Sequence, residues 1–229
     1  HTRFRRDWSS DVCSSDLSMI KRTYDRCCLA LDSKDVFVAT DDDRIVNHCQ
    51  DNHINVLMTS NACKTGTDRV YEASKQVEAD IYINVQGDEP IIDPENIKKV
   101  INVSANNPIQ VVATMSNIDE KEFFSNTIPK VVTRLDNRLL YASRAGIPTT
   151  KSLEFIYSKK QIGIYAFPKQ SLIDFVSVDN KTPLEALEDI EILRFLELGY
   201  EVQMVELDDN SFAIDIPADV KKVEAILNV

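Results

Sequence analysis

The chain has 229 residues, 43% hydrophobic and 28% charged, which is enough apolar side chain for one sizeable core and excludes a globally disordered polymer. Its net charge of -11 argues against a general nucleic-acid binder, although a local cluster of Lys, Arg and Mg2+ can still hold a small anion. No apolar run approaches the roughly 20 residues of a membrane-spanning helix, so neither nucleic acid nor membrane is an expected partner.

Residues 1–17 (HTRFRRDWSSDVCSSDL) show no sustained helical or strand period and no continuous apolar stretch of the signal-peptide kind. They resemble a translated sequencing adapter, the alternative being a disordered native tail. They are expected to lie outside the fold, leaving 18–229 as a single domain. From Met19 a regular alternation begins. The pattern predicts a helix over Met19–Ala30, a strand over Val36–Thr40, a helix over Arg44–Asn52 and a strand over Ile54–Met58. A helix over Thr67–Val77, a strand over Ile81–Val85, a helix from Pro94 to about Ala105 and a strand over Gln110–Met115 follow. Alternating strands and helices imply βαβ units, and so an α/β fold with a mostly parallel sheet flanked by helices.

After about residue 120 the rhythm changes. Lys130–Arg134 and Leu139–Ser143 read as strands joined by a Leu135–Arg138 hairpin turn, and Ile162–Phe167 as another strand. Pro183–Leu198 reads as one helix ended by Gly199, Val202–Val205 and Phe212–Ile214 as strands, and Pro217 as the start of a final helix. This later part is expected to form a smaller antiparallel insertion within the same domain. The five cysteines, Cys13, Cys27, Cys28, Cys49 and Cys63, are odd in number and form no CxxC pair, as expected of free thiols in a reducing, cytoplasmic setting. His1, His48 and His53 fall in no metal-ligand motif.

Four segments carry chemistry. In Asn84–Pro90 (NVQGDEP) a buried strand ends in a polar turn with two adjacent carboxylates. Ligands of open α/β sheets bind at carboxyl ends of strands, and a carboxylate there can hold Mg2+ beside a phosphate. The alternative is an acidic turn capping the next helix. Asp215 likewise stands at a strand end before Pro217, where an ordinary N-cap is the competing reading; paired with Asp88 it can share one metal. Lys64–Arg69 (KTGTDR) is a small-residue turn at a helix start, with N–H groups and hydroxyls suited to an anion or a base edge, or simply a capped helix. Asp41–Arg44 and the acids Glu185, Glu188, Asp189 and Glu191 read first as solvated helix faces, although Glu191 and Arg194, at i and i+3, can pair or reach a sugar.

Together these segments resemble the CMP-KDO synthetase family, the 3-deoxy-manno-octulosonate cytidylyltransferases, from about Met19 to Val229. NVQGDEP is the most specific motif. Val38–Asp42 (VATDD), Thr65–Arg69 (TGTDR), Tyr141–Pro148 (YASRAGIP), Gly163–Tyr165 (GIY), Pro183–Glu185 (PLE) and Asp215 with Pro217 and Asp219 follow in the family's order. The resemblance implies a Rossmann-like sugar-nucleotide transferase fold, CTP and a sugar acid as substrates, and transfer of CMP with release of pyrophosphate for surface polysaccharide synthesis. It implies Asp88 and Asp215 as Mg2+ ligands, and Thr65, Gly66, Thr67, Arg69 and Gln86 on the nucleotide. It places Lys130, Tyr141, Ser143, Arg144, Gln161, Glu191 and Arg194 around the sugar acid, and it implies a homodimer built on the antiparallel part.

Three departures accompany it. The family's opening strand and basic phosphate-binding loop are replaced by residues 1–17, so this polypeptide is expected to bind CTP poorly. Gln161 stands where the family has His, and Ile192 where it has Gln. The competing readings are therefore a cytidylyltransferase for another ulosonic or sialic-acid-like sugar, and an inactive truncated fragment.

Overall fold

The protein is represented by a computed structural model, which describes residues 18–208 and 223–226. Residues 1–17, Asp215, the strand expected at Phe212–Ile214 and the helix start at Pro217 lie outside the described residues, while 223–226 are helical. The described residues divide into two compact units, one formed by 18–58, 86–94 and 223–226, the other by 59–85 and 95–208.

In the first unit, α1 (Met19–Cys28), β1 (Val38–Thr40), α2 (Asp43–Asp51) and β2 (Val56–Met58) follow in order. Both helices start on capping side chains: Ser18 Oγ accepts from Lys21 N at 3.3 Å, and the Asp42 carboxylate from Arg44 N at 2.8 Å. β1 and β2 pair in parallel, Val38 opposite Val56, as an α-helical crossover requires. α1 also grips the 86–94 segment. The Thr23 hydroxyl donates to Gly87 O at 3.1 Å and Arg26 Nε to Ile92 O at 2.7 Å.

The second unit contains α3 (Gly66–Ser74), β3 (Ile81–Val85), α4 (Pro94–Asn106), β4 (Val111–Asn117), α5 (Glu120–Phe123), β5 (Lys130–Thr133), β6 (Leu139–Ser143), β7 (Lys159–Pro168), α6 (Lys169–Val176), α7 (Pro183–Glu188), α8 (Ile192–Glu197) and β8 (Val202–Glu206). Its six-stranded sheet has the order β6-β5-β7-β4-β8, with β3 also on β7. β3, β4 and β5 are each antiparallel to β7, and β8 is parallel to β4, so β3, β4, β5 and β8 run one way while β6 and β7 run the other. The α/β architecture with a helix-flanked central sheet follows the sequence reading, but this sheet is not mostly parallel: β7 runs against β3, β4 and β5, and β6 against β5, leaving β4 and β8 as its parallel pair.

Alternate residues of β4 (Val111, Ala113, Met115), β7 (Tyr165, Phe167) and β8 (Val202, Met204) enter one core with Leu172 and Phe175 of α6 and Leu193 and Phe195 of α8. Stacked and tilted rings run through it, with Phe167 to Phe195 at 5.4 Å and Phe175 to Phe195 at 5.0 Å between centroids. Among the described residues Cys27, Cys28, Cys49 and Cys63 are free thiols, and no helix is long and apolar enough to cross a membrane.

Four elements depart from the expected pattern. The strand at Ile162–Phe167 extends to Lys159–Pro168, and neither α5 nor α6 has a counterpart in the sequence reading. The helix expected over Pro183–Leu198 is two helices, broken where Asp189 takes a left-handed conformation, φ 54°, with its N–H on Glu185 O at 2.9 Å. Asp is among the few residues that accept this conformation at low cost.

Gly146 sets a close approach near the end of the YASRAGIP segment. A Cβ there would lie 2.7 Å from two ring carbons of Phe123, which is 1% exposed and packed against Phe124 and Phe155. Gly146→Ala is expected to cost about 1–3 kcal/mol by overpacking. Thermal unfolding of the purified variant checks this, and an unchanged midpoint would show that the ring can shift.

Candidate active site

The sequence candidates of the second unit gather at two turns, both held by the α7–α8 segment. At the first, Thr65 caps α3 in a reciprocal box: Asp68 N–H donates to Thr65 Oγ1 at 3.1 Å and Thr65 N–H to the Asp68 carboxylate at 2.9 Å. The remaining N-terminal donors of α3 meet Glu191, whose carboxylate accepts from Gly66 N at 3.1 Å, Thr67 N at 2.9 Å and the Thr67 hydroxyl at 2.6 Å. A helix N-terminus favours an anion, and here the chain supplies its own. Arg69 turns its Nη1 to the Thr59 hydroxyl at 2.6 Å.

At the second turn, the end of β6, three donors converge on Glu188. Its carboxylate accepts from the Ser143 hydroxyl at 2.7 Å, Arg144 N–H at 2.9 Å and the Tyr141 hydroxyl at 3.3 Å. Burial pushes the Glu188 carboxyl up, but these hydrogen bonds and the Arg144 charge outweigh it and hold the group below the ordinary carboxylate value. Burial first, and then the Glu188 charge, push Tyr141 upward, so its hydroxyl stays protonated and able to donate. The Arg144 guanidinium spans backbone carbonyls, reaching Glu188 O at 2.6 Å, Thr127 O at 2.9 Å and Asp189 O at 3.0 Å.

Lys130 and Arg194, which the resemblance places around the sugar acid, are both buried and engaged by the protein itself. Lys130 is 0% exposed, and its ammonium donates to Ser125 O at 2.6 Å, Ile128 O at 2.8 Å and Arg144 O at 2.5 Å. An ammonium has three N–H donors, so this set uses all of them. Burial, and next the nearby Arg144, push Lys130 below the ordinary lysine value, with Glu188 opposing. Arg194 is 2% exposed and pairs with Glu185 rather than with Glu191 at i-3, through Nε at 2.5 Å and Nη2 at 2.7 Å. Its Nη1 donates to Phe175 O at 3.1 Å, and the guanidinium lies 3.8 Å from the Phe175 ring centroid. Both cations thus spend their hydrogen bonds on the protein itself.

Gln161, on β7, donates its side-chain N–H to the Tyr165 hydroxyl, while its Oε1 is buried with no hydrogen-bond partner among the described residues. Ile192, the other departure from the family pattern, is 2% exposed within the apolar core. In the first unit Gln86 and Gly87 are exposed and Asp88 is half-buried, on the turn that Thr23 holds through Gly87 O. A Cβ at Gly87 would touch nothing within 4 Å, so the backbone there faces open space. Among the described residues no three His, Cys, Asp or Glu side chains gather as a metal site, and Asp215 lies outside them.

The sequence reading took Glu188 for part of a solvated face. The local signal there, the T-x-x-E box of Thr182–Glu185, marks only a helix start, so nothing in the sequence singled out Glu188. Replacing Lys130 by Met keeps most of the volume and strips three partly buried carbonyls of their shared donor. Lys130→Met is expected to lower stability by about 2–4 kcal/mol. Urea unfolding measures it, and a wild-type midpoint would show that those carbonyls find other donors.

Known proteins bear on these two turns. The cytidylyltransferase family model matches residues 15–205. A 3-deoxy-manno-octulosonate cytidylyltransferase of Protochlamydia amoebophila is 35% identical over 90% of this chain and 83% of its own length. One of Desulfatibacillum aliphaticivorans is 37% identical over 91% and 87%. Among solved structures, a CMP:2-keto-3-deoxy-manno-octonic acid synthetase complexed with CTP superposes with a TM-score of 0.86 at 32% identity, covering 92% of this chain and 88% of that one. The match spans the α3 turn, the β6 end and the α7–α8 segment alike, and the chain belongs to the cytidylyltransferase family.

Proposed function

We propose that this chain transfers CMP from CTP to 3-deoxy-manno-octulosonate (KDO), releasing pyrophosphate. The observation that carries the proposal is the likeness, over nearly the whole chain, to a CMP-KDO synthetase solved with CTP. In the reaction the anomeric hydroxyl of the sugar attacks the α-phosphorus in line. A sugar oxygen–phosphorus bond forms, the bond to pyrophosphate breaks, and the hydroxyl proton is lost to solvent or base. No covalent protein nucleophile is required.

In this reading the Thr65–Arg69 turn and Gln86 receive the nucleotide, and Tyr141, Ser143, Arg144 and Gln161 face the sugar acid. Lys130 and Arg194 support that surface, while Glu191 holds the Thr65–Thr67 turn. Asp88 offers a hard carboxylate oxygen at a strand end, the donor type that Mg2+ takes together with phosphate oxygens and water, and Asp215 is the second ligand in this proposal. When bound, Mg2+ would offset part of the triphosphate charge. Among the described residues, the antiparallel part exposes Leu140, Leu153, Ile156 and Tyr157, which suits a homodimer in which a second copy covers them.

Gln161 favours a second reading, an acceptor other than KDO, because its buried Oε1 offers an acceptor where the family's His would present an imidazole. Ile192 lends no weight to it, since that side chain is in the core.

Pyrophosphate release with CTP, Mg2+ and a panel of sugar acids, by the chain carrying a family-type opening strand and loop, tests the proposal. KDO is expected to give the highest kcat/KM; a sialic-acid-like sugar in that place selects the second reading, and no turnover with any overturns both. Asp88→Asn and Asp215→Asn are each expected to lower the rate about a thousandfold, and activity within about tenfold of wild type would remove the metal-ligand assignment. Light scattering is expected to return twice the chain mass, and a monomer would refute the dimer.

A further inference from the structure

Glu188 and Glu191 are three residues apart, yet their carboxylates serve different turns. Glu188 holds the end of β6 through the Ser143 hydroxyl, the Arg144 N–H and the Tyr141 hydroxyl, and Arg144 Nε answers by donating to the Glu188 carbonyl. Glu191 holds the start of α3 through the Gly66 and Thr67 N–H groups and the Thr67 hydroxyl. The left-handed Asp189 between them lets the two acids diverge.

We infer that Glu188 and Glu191 are positioning residues, a two-ended brace that fixes the sugar-side turn at Ser143–Arg144 and the nucleotide-side turn at Thr65–Thr67 to a single backbone segment. The inference rests on the proposed substrate assignment of those two turns. Ser143 Oγ donates to Glu188 and accepts from Ala145 N–H at 3.1 Å, so its rotor is set before any ligand arrives. Thr67 Oγ1 is set by Glu191 in the same way. Groups ordered in advance do not lose that freedom on binding, so the brace acts on substrate affinity. Each carboxylate serves one turn, so each acts on one substrate. Both acids are half-buried, and their replacement leaves the apolar core intact.

The test is steady-state pyrophosphate release by the protein assayed above, using the sugar acid that the panel selects and varying each substrate in turn. Glu188→Gln keeps the shape but turns an amide N–H toward three donors. It is expected to raise KM for the sugar acid about tenfold while KM for CTP stays within about twofold. Glu191→Gln is expected to do the reverse. Glu188→Asp and Glu191→Asp, which keep the charge on a shorter arm, should fall between, and they carry the test if a Gln variant fails to fold. Equal changes in both KM values, or a fall in kcat alone, would overturn the brace. Ser143→Ala separates the two levels. If it raises KM for the sugar acid and Glu188→Gln does not, the brace alone fails. If Ser143→Ala leaves that KM unchanged, the sugar assignment of the turn fails and takes the inference with it.

Discussion

The guanidinium of Arg194 lies over the Phe175 ring with two of its nitrogens on the Glu185 carboxylate, and neither side chain reaches water. Such a pair holds only when every remaining polar atom has a partner, because two charges have been taken out of solvent. Here Thr182 N–H reaches Glu185 at 3.2 Å and Phe175 O receives the third guanidinium contact. Glu197 adds to the same corner by accepting from the N–H groups of Leu184 and Glu185 at 3.0 and 3.2 Å. The result is a corner between α7 and α8 tied to α6, and the directions of Glu188 and Glu191 follow from it.

That corner also changes the meaning of the chain's acidity. A net charge of -11 reads as a field hostile to anionic substrates. Much of the acid in this segment is turned inward instead: Glu185, Glu188, Glu191 and Glu197 each accept hydrogen bonds from the protein itself. The donors they meet include helix-start N–H groups, which carry partial positive charge.

Much of the fold was legible because local signals agreed with the final structure. The strand at Ile81–Val85 was read with its observed bounds, and the 130–143 hairpin closes at Asn137 in a left-handed turn. Tyr141, Ser143 and Arg144 were read as one segment and do meet at one carboxylate. The illegible parts are those decided by long-range partners. The resemblance places Lys130 and Arg194 around the sugar acid, and nothing local in the sequence marks the burial that the three carbonyls and the Glu185 carboxylate explain. The split of the 183–198 helix was hidden because apolar spacing is helical on both sides of Asp189. Asp215, proposed above as the second metal ligand, lies outside the described residues.

The break at Asp189 bears on how this segment can vary over evolutionary time. In an unbroken helix, residues three apart project within about 60° of each other, and two acids at that spacing would compete for the same neighbour. One left-handed residue uncouples them, so position 189 carries information although its side chain is exposed and bonds to Lys181 at the surface. Sequence drift there is confined to residues that tolerate positive φ, chiefly Gly, Asn and Asp, whereas a β-branched residue would pull the segment toward one continuous helix. Lengthening or shortening it by one residue would swing everything downstream by about 100°, carrying Glu191 off its turn and Arg194 away from Glu185. The segment can therefore exchange its exposed side chains freely, but it cannot change its length.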